Sequence, residues 1–448
     1  MAGSFVSRPR VRALLVAAVV LALVAGGAAW WLTQRTYSTD LSSLGEGRAA
    51  SGPAPGAASR TLADLAVALR AGDPGAARAL APADDPAART LLADVARNAA
   101  ALRVEGLALR YVDELAPGEA GLDAESDAAG REPGAWTAAV ELTWRFAGFD
   151  RTDLRVEVPV DLLREGDRVA VTGFGGDAGS PAVPLPGQDQ QVRGRVRVPV
   201  WLTGPVTVRR TEATLVVVAG AGGARYDALA RAAVPAVAAE LPGWDRRLVV
   251  EVPRDVDGLA AVLGAPVADV AGAAALSASP DGTPERRAAT HVYVNPEVFG
   301  SLGRRGARLV MTHEAAHVAT RAPGSPAPVW LVEGFADVVA LGALDVPEPV
   351  AAAQAAARVR RDGPPTRLPG ARDFDTAGTH AGATYEAAWL ACLELRDAAG
   401  PDGLRRLYER VDAGEDLASA MRREAGIGLA ELTRRWRERL VGLAGAAA

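Results

Sequence analysis

The first strong hydrophobic signal is an apolar run near the N-terminus. Residues 13–32 carry no charge, and their number is about what a helix needs to cross roughly 30 Å of hydrocarbon. Three arginines precede the run, and Trp30 and Trp31 lie where an interfacial aromatic belt is found. The pattern predicts a transmembrane helix over 13–32, a cytoplasmic tail over 1–12, and an extracytoplasmic location for everything after residue 35.

A cleaved signal peptide is the alternative for this run. The small residues at 25–29 would suit a signal peptidase, and the protein would then be secreted. The run is longer than the usual apolar region of a signal peptide, roughly 7 to 15 residues, which favours the anchor. Residues 33–59 are small, polar and rich in Gly, Pro and Ser, so they are expected to form a flexible linker.

Residues 60–200 change from a helical to an alternating period, which predicts an α+β accessory domain. Leu62, Leu65 and Leu69 share one helical face, and a second helical pattern contains Leu91, Leu92 and Val95. Alternating segments follow at 102–112, 136–146, 154–162 and 168–174. This order of two helices and four strands, with a curved sheet, resembles the nuclear transport factor 2-like fold by element order alone.

A Gly/Pro-rich break over 175–191 precedes a second domain, which we place at 204–445. Strands are predicted at 206–209, 213–218, 247–252 and 290–294, and helices at 226–241 and 256–263. After residue 303 the pattern is helical throughout. The chain is therefore expected to be α+β, with a sheet-bearing lobe followed by a helical lobe and a site at the seam between them.

Charge and cysteine content narrow the function classes. The formal net charge of -5 gives no electrostatic basis for binding nucleic acid, so that class of partner is not expected. The single cysteine, Cys392, cannot form an internal disulfide and is expected to be a small buried residue on a helix. Nothing in the sequence indicates an oligomeric state.

The chemistry is concentrated in one segment of the second domain. His313 and His317 lie four residues apart in a helical pattern, so both imidazoles can face one metal ion. A catalytic zinc site has three protein ligands, and Glu333 in the following helix is the candidate for the third. Asp337, one turn beyond Glu333, can accept the second N–H of a ligating histidine.

The proline-rich connection between these two helices, with Pro323, Pro326 and Pro328, predicts a short return that brings Glu333 back against the histidines. We therefore expect one Zn²⁺ per chain, bound by His313, His317 and Glu333.

The segments MTHEAAH and WLVEGFAD resemble the paired active-site helices of gluzincin metallopeptidases, more closely the peptidase MA-like group than thermolysin. The resemblance covers roughly residues 205–440. It implies a zinc peptidase in which Glu314 is the general base and a peptide or protein is the substrate. It also implies that an edge strand lines the cleft, here either 290–294 or 267–276. Only fifteen residues separate His317 from Glu333, fewer than in thermolysin-like enzymes.

The same resemblance implies a downstream donor for the developing oxyanion. Tyr385, in a helix predicted over 384–396, is the first candidate, and His380 is the second. His291, in the strand over 290–294, is expected to be an ordinary strand residue.

Two other functions agree with these residues. One is a catalytically inactive metal-binding or protein-binding module with a vestigial site, and the other is a metal hydrolase acting on a different amide or ester.

Overall fold

The computed structural model of the chain describes residues 52–115, 132–175, 196–283, 288–374 and 381–446. Across these ranges no helix combines the length and the apolar character needed to cross a membrane. The predicted transmembrane helix over 13–32 lies outside the described residues. So do the tail over 1–12, His380, most of the linker over 33–59 and nearly all of the break over 175–191.

Three helices form the first layer of the described chain. Each begins with a proline, whose missing N–H is not needed in the first turn of a helix. Asp73 and Asp85 cap the second and third helices by accepting hydrogen bonds from N–H groups of the first turn. Of the leucines that predicted these helices, Leu62 and Leu92 are fully buried, whereas Leu91 is only partly buried. The helices are α1 (Pro55–Ala71), α2 (Pro74–Arg78) and α3 (Pro86–Leu102).

A four-stranded antiparallel sheet follows, in agreement with the alternating segments of the sequence. Its strands are β1 (Val104–Glu114), β2 (Ala135–Phe146), β3 (Leu154–Glu165) and β4 (Arg168–Phe174). They pair in chain order, β1-β2-β3-β4. Helix α1 packs against β1 and β4, so the helices cover the sheet and the predicted α+β character of this region is confirmed.

A second, five-stranded sheet is mixed. Its strands are β5 (Val206–Arg210), β6 (Thr214–Ala219), β7 (Leu248–Val252), β8 (Ala275–Ala278) and β9 (His291–Val294). The order is β5-β6-β7-β9-β8, with β6, β7 and β9 parallel and both edge strands antiparallel to their neighbours. Strand β9 is therefore internal, and β8 is the edge next to it.

Helices fill the rest of the second domain, as the sequence predicted. Those connecting the strands are α4 (Ala224–Glu240), α5 (Val256–Leu263) and α6 (Val267–Val270). Those after the sheet are α7 (Pro296–Ser301), α8 (Arg304–Thr320), α9 (Val329–Gly342), α10 (Glu348–Ala351), α11 (Ala353–Asp362), α12 (Ala381–Ala399), α13 (Pro401–Asp412), α14 (Leu417–Glu424) and α15 (Leu429–Ala446).

The two faces of the five-stranded sheet belong to different hydrophobic cores. Val216 and Val250 pack in one core with α4, α8 and α9. Leu215, Val217 and Val249 point to the opposite face, and they pack in a second core with α1, α3 and the four-stranded sheet. The N-terminal region therefore covers one face of the sheet that carries the C-terminal helices.

Asn98, on α3, connects the two regions through the backbone. Its side-chain amide donates hydrogen bonds to the carbonyl oxygens of Trp201 (2.8 Å) and Gly204 (2.7 Å) and accepts one from the N–H of Val206 (3.2 Å). Asn98 is buried, and buried polar groups need such partners. This one side chain therefore satisfies three backbone groups of the segment that enters the second sheet.

His291 forms a second buried connection. Its Nδ1 lies 2.8 Å from a carboxylate oxygen of Glu251 on β7, and its Nε2 lies 2.9 Å from one of Asp150, which follows β2. Phe146 stacks on the imidazole ring, 5.7 Å between centroids. The expectation that His291 is a strand residue rather than part of the metal site is correct, and the structure adds that it bridges the two sheets.

Candidate metal centre

Helices α8 and α9 carry the residues of the predicted site. Helix α8 ends at Thr320, and the next residue, Arg321, adopts a left-handed conformation (φ 56°) and so turns the chain away from the helix axis. The proline-containing connection follows, and α9 begins directly after Pro328. The two helices pack against each other, so the short return expected from the prolines is present.

Three potential ligand atoms meet between these helices. Nε2 of His313 lies 2.9 Å from Nε2 of His317, and Oε2 of Glu333 lies 3.2 Å from each of the two nitrogens. The side chains of the three residues are 12%, 9% and 18% exposed, respectively. The structure thus brings together a largely buried His-His-Glu group that can hold a metal ion.

The distances between the three potential ligand atoms suit a zinc ion. Ligand atoms about 2.0 to 2.1 Å from a tetrahedral zinc ion are separated from one another by about 3.3 Å. The measured separations of 2.9, 3.2 and 3.2 Å are close to that value. Two imidazole nitrogens and one carboxylate oxygen are also a donor set that zinc accepts at catalytic sites. The residues present therefore fit this ion.

Asp337 orients one of the two histidines. Its Oδ1 lies 2.8 Å from Nδ1 of His313, which directs the Nε2 lone pair toward the other ligand atoms. Nδ1 of His317 is buried and has no hydrogen-bond partner among the described residues. Among the described residues, a carboxylate therefore holds Nδ1 of His313, whereas Nδ1 of His317 has no such partner.

The charges of the group favour an ionised Glu333. Burial opposes ionisation of its carboxyl, but His317 and His313 outweigh burial and hold the pKa of Glu333 far below its usual range. Burial likewise opposes protonation of His313, but Asp337 and Glu333 raise its pKa well above the usual value. Without a metal, the group therefore pairs a proton on His313 with an anionic Glu333, and a cation that binds there would displace that proton.

Gly334 allows helix α9 to lie where Glu333 reaches the two histidines. Helix α9 packs against α12 at this point, and a Cβ on Gly334 would lie 2.4 Å from the carbonyl oxygen of Ala388 and 2.7 Å from Sγ of Cys392. Cys392 is fully buried, as predicted. Only glycine permits this separation between the helices, and the position of the neighbouring Glu333 depends on it.

Glu314 lies on α8 next to His313 and is buried. Ser277, on β8, contacts it twice: the serine Oγ is 2.7 Å from Oε2 of Glu314 and 3.1 Å from its carbonyl oxygen. Sequence reasoning missed Ser277, because a single serine in a four-residue strand carries no distinctive signal. The strand beside the site is β8, so the edge strand considered at 290–294 is wrong. Of the other segment considered, 267–276, only the last two residues belong to β8.

Tyr385 lies at the site, on α12. Its ring is 6.3 Å from that of His313 and packs edge-on against Phe374 at 5.2 Å. Burial and nearby carboxylates, first among them Glu333, raise the pKa of Tyr385 above its usual value, so the phenol keeps its proton at neutral pH and can donate it to a hydrogen bond. The second candidate donor, His380, lies outside the described residues.

Comparison with known proteins adds no relative. No protein-family model matches the sequence, and no curated protein sequence matches it. The evidence for function is therefore the site itself: a His-His-Glu group suited to a metal ion, a carboxylate beside it, and a protonated tyrosine at its edge.

Proposed function

We propose that the chain is a zinc-dependent peptidase of the gluzincin type. The observation that carries the proposal is the convergence of His313, His317 and Glu333, with Asp337 directing His313. Two further features support it. Glu314 supplies a carboxylate next to a metal ligand, and the edge strand β8 lies against α8, where an extended peptide could add to the sheet.

The proposed roles follow from the chemistry of each group. A zinc ion held by the three ligands supplies a Lewis acid and an activated water. Glu314 accepts the proton of that water and then returns it to the leaving nitrogen of the peptide. Tyr385 donates a hydrogen bond to the oxygen on which negative charge develops. As a ligand of a zinc ion, Glu333 would stay anionic, because metal ligation requires the deprotonated carboxylate.

Zinc content tests the metal site. The purified protein, loaded with zinc and dialysed at neutral pH, is expected to retain about one ion per chain, as in other sites of this kind. The His313→Ala variant should lose it, and the His380→Ala variant should keep it, since His380 has no ligand role in the proposal. A wild-type protein that retains no zinc would refute the three-ligand site.

Peptide cleavage tests the enzymatic role. Zinc-loaded wild type should cleave members of a peptide library, and the positions of cleavage, read by mass spectrometry, distinguish an endopeptidase from an exopeptidase. Glu314→Gln should keep the metal and lose cleavage, while Glu297→Gln, which alters an exposed glutamate, should keep both the metal and cleavage. A protein that binds zinc but cleaves no peptide would instead be the inactive metal-binding module or a hydrolase for another amide or ester.

The fold and the cellular location extend the proposal. We assign residues 204–445 to a gluzincin-like domain and residues 60–200 to a domain resembling the nuclear transport factor 2-like fold, with 13–32 as a membrane anchor and the site outside the cytoplasm. The protein is expected to resist alkaline extraction from membranes. Protease added from outside the cell is expected to digest it. An N-terminus that begins between residues 25 and 35 in the mature protein would instead indicate a secreted protein.

A further inference from the structure

The carboxylate of Glu314 is held from outside its own helix. Among the described residues, Ser277 is the hydrogen-bond donor to that carboxylate, at 2.7 Å from Oε2. The same hydroxyl lies 3.1 Å from the carbonyl oxygen of Glu314. A serine hydroxyl has one proton, and it favours the charged and nearer acceptor. The proton of Ser277 therefore points at Oε2.

The position of Ser277 is set by the sheet. Strand β8 pairs antiparallel with β9 through residues 275–278, and Ser277 lies opposite Val292. Strand β9 is itself paired with β7, so the hydroxyl belongs to a rigid edge. Glu314, by contrast, is a long side chain on α8 whose orientation depends on several rotatable bonds. The hydrogen bond therefore selects one orientation of the carboxylate relative to the sheet.

We propose that Ser277 is a positioning residue for the general base: it fixes Oε2 of Glu314 and so presents the other carboxylate oxygen to the reacting water. The inference rests on the proposed peptidase function. It does not concern metal binding, because Ser277 contacts none of the three ligand side chains in the described structure. It predicts that loss of the hydroxyl impairs the chemical step and spares both the zinc and the binding of substrate.

Ser277→Ala and Ser277→Thr separate this role from a structural one. The alanine variant should keep its zinc and its KM and lose on the order of 10- to 100-fold in kcat, as small misplacements of catalytic groups do. The threonine variant keeps the hydroxyl on a β-branched residue that a strand accommodates, and it should recover most of the activity. A kcat within about twofold of wild type for Ser277→Ala, or a threonine variant as impaired as alanine, would overturn the proposal.

Crystal structures of the same variants give a readout that needs no activity. Glu314 should occupy one rotamer in wild type and in Ser277→Thr, and two or more in Ser277→Ala, with the metal ligands unmoved. If zinc-loaded wild type cleaves no peptide, the proposed function fails while this comparison still decides whether Ser277 orients Glu314. An unchanged Glu314 rotamer in Ser277→Ala refutes the positioning role, whatever the activity.

Discussion

The buried network of His291, Asp150 and Glu251 predicts that the protein loses stability as the pH rises above neutrality. Burial opposes protonation of the His291 imidazole, but the two carboxylates outweigh burial and raise the pKa of His291 from 6.5 to about 9. The two aromatic rings beside the imidazole add no charge at these pH values: Phe146 stacks on it, and Tyr293 lies 6.3 Å away with a pKa raised well above its usual value.

The direction and the size of this loss of stability follow from the linkage between proton binding and folding. Between pH 6.5 and 9 the folded protein holds a proton on His291 that the unfolded chain has released, so the free energy of unfolding falls as the pH rises. A tenfold change in proton affinity corresponds to about 1.4 kcal/mol. The network therefore contributes about 3 kcal/mol at pH 6, fully present below pH 6.5 and lost as the pH passes 9.

Urea unfolding followed by tryptophan fluorescence at pH 6, 7, 8 and 9 measures this loss. The background should be His313→Ala without metal, because the pKa of His313 is also raised in the metal-free protein and would add a fall of the same sign. Asp150→Asn is the informative variant: it keeps an acceptor for the N–H of Phe146, which Asp150 bonds at 2.7 Å, and removes one of the two charges beside His291.

The expected result is a fall of about 3 kcal/mol in the His313→Ala background and a clearly smaller fall when Asp150→Asn is added. Selective labelling of histidine gives a direct check by NMR, since the chain has only four histidines. A His291 ring that titrates near pH 6.5, or a free energy of unfolding that stays constant between pH 6.5 and 9, would refute the reasoning.

Three further predictions concern helix packing, the connection between the sheets, and the metal. Gly334→Ala should destabilise the protein by about 2 kcal/mol and weaken zinc binding, because the added Cβ would meet the backbone of α12. The control Gly342→Ala, on the same helix, places a Cβ with nothing within 4 Å. Urea and zinc titrations of this control should show unchanged stability and unchanged zinc affinity. Asn98→Ala removes three buried hydrogen bonds and should lower the free energy of unfolding by about 3 kcal/mol, measured with urea. A smaller loss of stability than that caused by an exposed substitution such as Thr90→Ala would contradict this prediction. Asp337→Asn should lower zinc affinity about 10- to 100-fold in competition with a chelating dye, and an unchanged affinity would show that Asp337 does not support His313.

The sequence was most informative where the signal is local. The spacing of Leu62, Leu65 and Leu69 identified α1, because residues three and four apart share one face of a helix. The same geometry placed His313 and His317 together. The prolines between α8 and α9 indicated the return that brings in Glu333, since proline ends one helix and begins the next.

Short elements and contacts between distant residues gave no such signal. Strand β8 has only four residues, and the segment just before it, Val267–Val270, is a helical turn although it was considered as part of an edge strand. The hydrogen bond from Ser277 joins residues 37 positions apart, and neither residue has a neighbour in the sequence that indicates the other. His291, an ordinary strand residue by pattern, pairs with Asp150, 141 positions away.

By itself, then, the sequence determined the type and order of most helices and strands and the identity of the three residues that form the His-His-Glu group, because these depend on periodicity within one or two turns. The tertiary structure decided which elements cover the two faces of the five-stranded sheet, which strand borders the site, and which side chain holds Glu314. Those outcomes depend on hydrophobic burial and hydrogen bonding between parts of the chain that meet only on folding, and no local pattern records which partners will meet.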